Sequence, residues 1–205
     1  MKKLVLALPL LGLLAGCGTS LLPPPEPDRT QYFVLSGPPP VPSSGAETGR
    51  LRVGINLPIE MPDYLSGRAM VVRTGENQLV LSDFNRWAES LQDGILRLME
   101  DGVKQDPAVA RVVSAPFPLS AEPDYSVSIH LLRCEGDAAA GSVVFAASYR
   151  IMTTNPAPKL VAQGTFVAPP AAWDGKDYAS MAALLSRDVL AFAQAIAHAL
   201  PNPPG

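Results

Sequence analysis

Two cysteines, two histidines and a scatter of carboxylates are the raw material this 205-residue chain offers for chemistry. His130 and His198 stand far apart and at no ligand spacing from either cysteine, so each reads as a structural residue rather than part of a metal centre. Cys134, within an alternating apolar run, reads as a small buried hydrophobe without a disulfide partner. Asp83, Glu89, Asp93, Glu100 and Asp101 fall in one stretch, and Glu89 and Asp93, four residues apart, would share a helix face. Paired carboxylates serve general acid–base hydrolysis, but acids at this spacing on a helix usually form a solvated face. Serines occur without a Gly-x-Ser-x-Gly elbow, and no Gly-x-x-x-x-Gly-Lys-Ser/Thr loop is present to cradle phosphate. The residues make no case for catalysis, a metal or a cofactor. With 16 basic against 19 acidic residues and a net charge of −3, the chain also lacks the basic excess that nucleic-acid binding requires.

Cys17 differs, because its surroundings give its thiol a task. Lys2 and Lys3 precede an apolar run over residues 4–14, interrupted only by Pro9 and Gly12. That run is too short for a membrane span of roughly 20 residues but suits the apolar region of a secretory signal. It ends in Leu14-Ala15-Gly16-Cys17, which resembles the lipobox of bacterial lipoproteins. There the small residues admit the peptidase, the thiol accepts diacylglycerol, and the amine freed by cleavage accepts a further acyl chain such as palmitate. Residues 1–16 are thus expected to be a signal peptide and Cys17 the lipidation site. Two or three acyl chains hold a protein far more firmly than one. No later run approaches span length, so lipid is the membrane attachment read here. Gly18, standing where aspartate favours inner-membrane retention in enterobacterial lipoproteins, leans towards the outer membrane.

Beyond Cys17, residues 17–49 read as a proline-rich linker with one short strand at 32–35, flanked by Pro23-Pro24-Pro25 and Pro38-Pro39-Pro40. The folded domain is expected over 50–200, with 201–205 as a tail. Alternation predicts strands at 50–57, 111–115, 125–135, 142–154 and 160–167, the last three forming an antiparallel meander. A hairpin is predicted from 69–73 and 78–82 about Thr74-Gly75-Glu76-Asn77. Ser82 or Asp83 is expected to cap a helix running to about Lys104, with Trp87, Leu91, Ile95 and Leu98 along its apolar face. Gly94 is read as a slight weakness in that helix, and Gly102 as a mark of its end region. A second helix is expected over 178–200, with Tyr178, Met181, Leu185, Val189, Phe192 and Ile196 as its stripe. The expected fold is α/β: a single domain with a mixed, largely antiparallel sheet of six or seven strands and two long helices, αβα-sandwich-like.

One ordered set of residues resembles a known family. Leu57-Pro58, Pro62-Asp63-Tyr64-Leu65, Val71-Val72-Arg73 and Phe84-Asn85-Arg86-Trp87-Ala88-Glu89, followed by Asp124-Tyr125 and a terminal helix with Ser186-Arg187, are similar to the ABC-type transport auxiliary lipoproteins, the family of paraquat-inducible protein C. Ile59-Glu60-Met61 adds residues between two of the blocks, and Ser66-Gly67 stands where a charged pair is common. The resemblance implies a lipid-anchored accessory subunit at the periplasmic face of the outer membrane, serving an MCE-type ABC lipid transport system and binding its MCE-domain protein. It implies no enzyme; the alternative reading is a membrane-tethered periplasmic hydrolase. Asp63, Tyr64, Arg68 and Arg86 are the candidate partner contacts, Arg being a favoured interface anchor, while Trp87 reads as a core anchor. Homo-oligomerisation stays open.

Overall fold

The computed structural model describes residues 27–39, 49–118 and 122–201; the signal segment, Cys17 and Gly18 lie outside them. Alternating apolar residues produce the strands that organise the fold. The longest are β6 (Tyr125–Asp137) and β7 (Ser142–Thr153), which pair antiparallel along their full length, and β8 (Leu160–Val167) pairs with β7 to complete the expected meander. The other side of β6 receives β2 (Leu51–Ile55) in parallel near its start and β3 (Ala69–Gly75) in parallel near its end. Between these, Glu60 bridges to His130. β3 and β4 (Gln78–Trp87) form the predicted hairpin, β1 (Gln31–Phe33) pairs parallel with the end of β4, and β5 (Val109–Ser114) pairs parallel with β2. Two-residue β9 (Ala171–Ala172) sits against the start of β7. Among the described residues the sheet therefore has nine strands rather than six or seven. Its shortest members are fixed by long-range pairing, which leaves little periodic trace in the sequence.

The first helix begins later than expected. α1 spans Leu91–Lys104, and its cap is Ser90, whose Oγ accepts from the Asp93 amide at 3.1 Å and donates to Asp93 Oδ2 at 2.6 Å. Residues 82–87 belong to β4, whose end pairs with β1 through Asn85–Trp87 and with β3 at Arg86, so Trp87 lies on a strand, although it is buried as predicted. Glu89 consequently precedes the helix and pairs with Arg97 instead of sharing a face with Asp93. α2 spans Tyr178–Ala199 and is capped by Asp177, which accepts from the amides of Ala179 and Ser180, each at 3.0 Å. Its predicted stripe from Met181 to Ile196 is buried, with Phe192 against Phe145, Tyr149 and Phe166. By length and composition α2 would suffice to cross a bilayer, contrary to the reading that no later run approaches span length; here its apolar stripe packs on the sheet.

The helices pack directly on one another. A Cβ at Gly102 would meet the Ala193 side chain at 2.5 Å, so this glycine, in the last turn of α1 as expected, also permits the close approach. Gly94 is likewise buried, with Leu35 packed over it, and it seats the chain that leaves β1. Leu35 is fully buried, Arg97 donates to its carbonyl at 2.9 Å, and the Ser36 amide donates to Ser186 Oγ at 2.9 Å. Within the segment expected to be linker with a brief strand, the stretch about Leu35 is thus packed against both helices.

Candidate functional site

Three of the four candidate contacts occupy one exposed rim. Asp63–Leu65 forms a short 3-10 turn, closed by Ser66 Oγ donating to the Asp63 carbonyl at 2.6 Å. The chain then reverses through Ser66-Gly67 into Arg68. Register places Ala69 opposite Arg86, and the Trp87 amide donates to the Arg68 carbonyl at 2.7 Å, so Arg68 and Arg86 are neighbours across the β3–β4 pair. Both are exposed. Arg68 Nη1 donates to the Ala88 carbonyl at 3.1 Å, and Arg86 Nε to the Asp83 carbonyl at 3.3 Å. Asp63 is exposed as well, whereas Tyr64 turns inward and is half-buried against a charge network.

That network was not singled out from the sequence. Val127, Ile129 and Leu131 share parity with Arg133, Glu135 and Asp137, so a regular strand would drive three charges into the layer beneath α2. A bulge between Leu131 and Arg133 prevents this. Beyond it Cys134 pairs with Phe145 on the helix-facing side, and the three charged residues turn outward. Glu135 is completely buried there; its Oε1 accepts from Arg73 Nε and from Arg133 Nε, each at 2.8 Å. Arg133 also reaches Asp137 Oδ2 at 3.3 Å. Burial, followed by the Glu135 carboxylate, raises the Tyr64 pKa, and the hydrogen bond to Glu135 raises that of Arg73. The charged residues spaced by two along β6 were the signal available in the sequence.

The helix-facing side holds a second buried acid, Asp188 of α2, at 2% exposure. Its Oδ1 accepts from Arg187 Nη2 at 3.0 Å, while its Oδ2 has no partner among the described residues. Burial raises its pKa, with Arg187 opposing. Cys134 is free and buried as expected; burial, then the charges of Glu135 and Asp188, push its thiol far above the ordinary range, which makes it inert as a nucleophile.

The outward side of β6, β7 and β8 forms a polar groove of about 650 Å³, with Glu60, Ser128, His130, Ser148 and Arg150 in its lining. His130 Nδ1 lies 3.9 Å from Glu60 Oε2, and Ser128 Oγ accepts from Asn56 Nδ2 at 2.9 Å. Such a surface can recognise a polar segment by hydrogen bonding. No group of three His, Cys, Asp or Glu side chains suited to a metal occurs among the described residues.

Comparison with known proteins yields a family and a fold. Residues 33–197 match the family model described as "ABC-type transport auxiliary lipoprotein component". No curated protein matches the chain. Among solved structures, protein XCC0632 from Xanthomonas campestris, assigned to family model DUF330, aligns with a TM-score of 0.67 at 15% identity, covering 82% of this chain and 93% of that one. An uncharacterized protein aligns with a TM-score of 0.65 at 18% identity, covering 82% and 97% respectively. At these identities the likeness establishes the fold.

Proposed function

Because the chain belongs to the family of ABC-type transport auxiliary lipoprotein components, we propose that it is an accessory subunit held by lipid on Cys17 at the periplasmic face of the outer membrane, where it serves an MCE-type lipid transport system by binding the MCE-domain protein. One observation carries this reading: the family match runs from β1 through almost all of α2, so it takes in the whole folded body rather than a shared motif. The exposed turn that bears Asp63 and Arg68, with Tyr64 directed inward beneath it, is the surface offered to the partner. Rim charges of this kind act mainly on encounter rate and specificity.

The full chain is expected to retain the MCE-domain protein in a pull-down and to show no turnover across an esterase and phosphatase panel. Arg68→Glu should weaken capture by roughly tenfold. Turnover abolished by one serine or aspartate substitution, with no capture, would replace this reading by the tethered hydrolase. Cys17→Ala should release the protein from the outer-membrane fraction, and its retention there would refute the anchor.

A further inference from the structure

The large hydrophobic side chains exposed among the described residues are unevenly placed. Tyr32, Val34, Val80, Leu81 and Phe84 fall on β1, the residue that follows it, and β4; only Leu160 and Val167 lie elsewhere, on β8. The parallel register explains two of them. Tyr32 sits beside Arg86 and Phe33 beside Trp87. Trp87 is buried and the Phe33 ring lies 6.4 Å from that of Tyr178 on α2, so those two point inward. The pleat then sends Tyr32 and Val34 outward, at 61% and 46% exposure, and Phe84, on the irregular stretch of β4 just before Asn85, is 55% exposed. The nearby charges balance, Arg29 and Arg86 against Asp28 and Asp83. The face is therefore apolar and close to neutral, with two aromatic rings, the composition that suits the boundary between lipid headgroups and acyl chains.

We propose that this face rests in the interface of the bilayer that holds the anchor, an inference that relies on the anchoring at Cys17 proposed above. Tether length favours the bilayer over other occupants. Tyr32 lies fifteen residues beyond Cys17, so even a fully extended connection spans at most about 50 Å. β1 is where that tether enters the fold, which keeps this face closer to the anchor than the rest of the body is. Tethering at such range raises the local concentration to about the millimolar range, enough for a surface too weak to bind membranes alone to stay engaged. The acyl chains then supply attachment, and the aromatic face sets which side of the body looks away from the membrane.

The test uses the lipidated full chain in phosphatidylethanolamine–phosphatidylglycerol vesicles with brominated acyl chains. Phe84→Trp and, separately, Tyr32→Trp add an emitter at the face, and Gln194→Trp adds one on the exposed side of α2; native Trp87 and Trp173 are buried and give a common background. Emission added at positions 84 and 32 should fall roughly twofold on brominated vesicles, and that at 194 should not change. Flotation with the vesicles but no quenching at 84 or 32 overturns this inference and leaves the anchor standing. Failure to float overturns the anchor, and this inference with it. Shielded emission at 84 without vesicles, together with a dimer's mass, assigns the face to a second copy and overturns the bilayer contact.

Discussion

The two faces of the sheet each bury one carboxylate and treat it differently. On the outward face Glu135 is held between Arg73 and Arg133, both reaching the same oxygen, with the Tyr64 side chain over the cluster. On the helix-covered face Asp188 has a single cationic neighbour, Arg187, whose side chain is 60% exposed. Each acid keeps one oxygen, Glu135 Oε2 and Asp188 Oδ2, without a partner among the described residues, so the difference lies in the number of cations that hold the other. The contrast follows from what each face must do. The outward face carries short loops and turns, and ionic crosslinks between β3 and β6 give it definition where apolar packing is thin. The helix-covered face is already defined by Phe145, Phe192, Leu185 and their neighbours, so an acid there adds desolvation cost with little return.

Removing one arginine from the outward cluster tests this most severely. Arg73→Met strips Glu135 of one of its two clamps while the carboxylate remains fully buried. The expected loss is about 3 kcal/mol in denaturant unfolding, within the range for an uncompensated buried charge. Adding Glu135→Gln to Arg73→Met should restore part of it, because the group left behind is then neutral. A loss well under 1 kcal/mol for Arg73→Met would mean that Arg133 alone satisfies the carboxylate, and each face would then hold its acid with a single arginine.

The helix-covered face should respond to volume rather than charge. Gly102→Val places new atoms against Ala193, where a Cβ alone already comes within 2.5 Å. Overpacking of this kind costs about 1–3 kcal/mol. Ala193→Gly in the same chain should recover a measurable share, and the double-mutant cycle gives the coupling. Strict additivity of the two changes would show that α1 and α2 do not meet through this pair.

Much of this architecture is legible in the sequence, and the misreadings have physical causes. The meander, the β3–β4 hairpin and α2 follow from local alternation, turn chemistry and the 3.6-residue period, which a single chain displays openly. The spacing sets the start of α1 too early because Trp87, Leu91, Ile95 and Leu98 keep helical spacing across a strand end, a cap and a helix, whereas pairing with β1 on one side and with Arg68 and Ala69 on the other keeps residues 85–87 extended. The bulge at Leu131/Arg133 is similarly silent, although the charges at 133, 135 and 137 continue the parity of an apolar face and so require some such break. Of the candidate contacts, Asp63, Arg68 and Arg86 emerge on one rim. The inward turn of Tyr64 depends on Glu135, which lies 71 residues further along the chain.

The smallest effect expected is also the most specific, because it concerns the sign of a pH dependence. Burial raises the folded-state pKa of Asp188 above its unfolded value, near 3.9. Such a group binds its proton more readily in the folded protein, so its charge opposes folding at neutral pH. That opposition is relieved as pH falls through the raised pKa towards about 4. Glu100, also raised by burial with a Ser114 hydrogen bond opposing, contributes in the same direction, so the Asp188 share must be isolated by difference. Asp188→Asn should stabilise the protein by about 1 kcal/mol at pH 7, and this advantage over the parent should shrink towards zero as pH approaches 4. Unfolding free energies of the two proteins, measured across that interval, check the prediction. An advantage that is constant with pH would show that Asp188 carries no raised pKa, and a loss at pH 7 would show that its charge stabilises the helix-covered face after all.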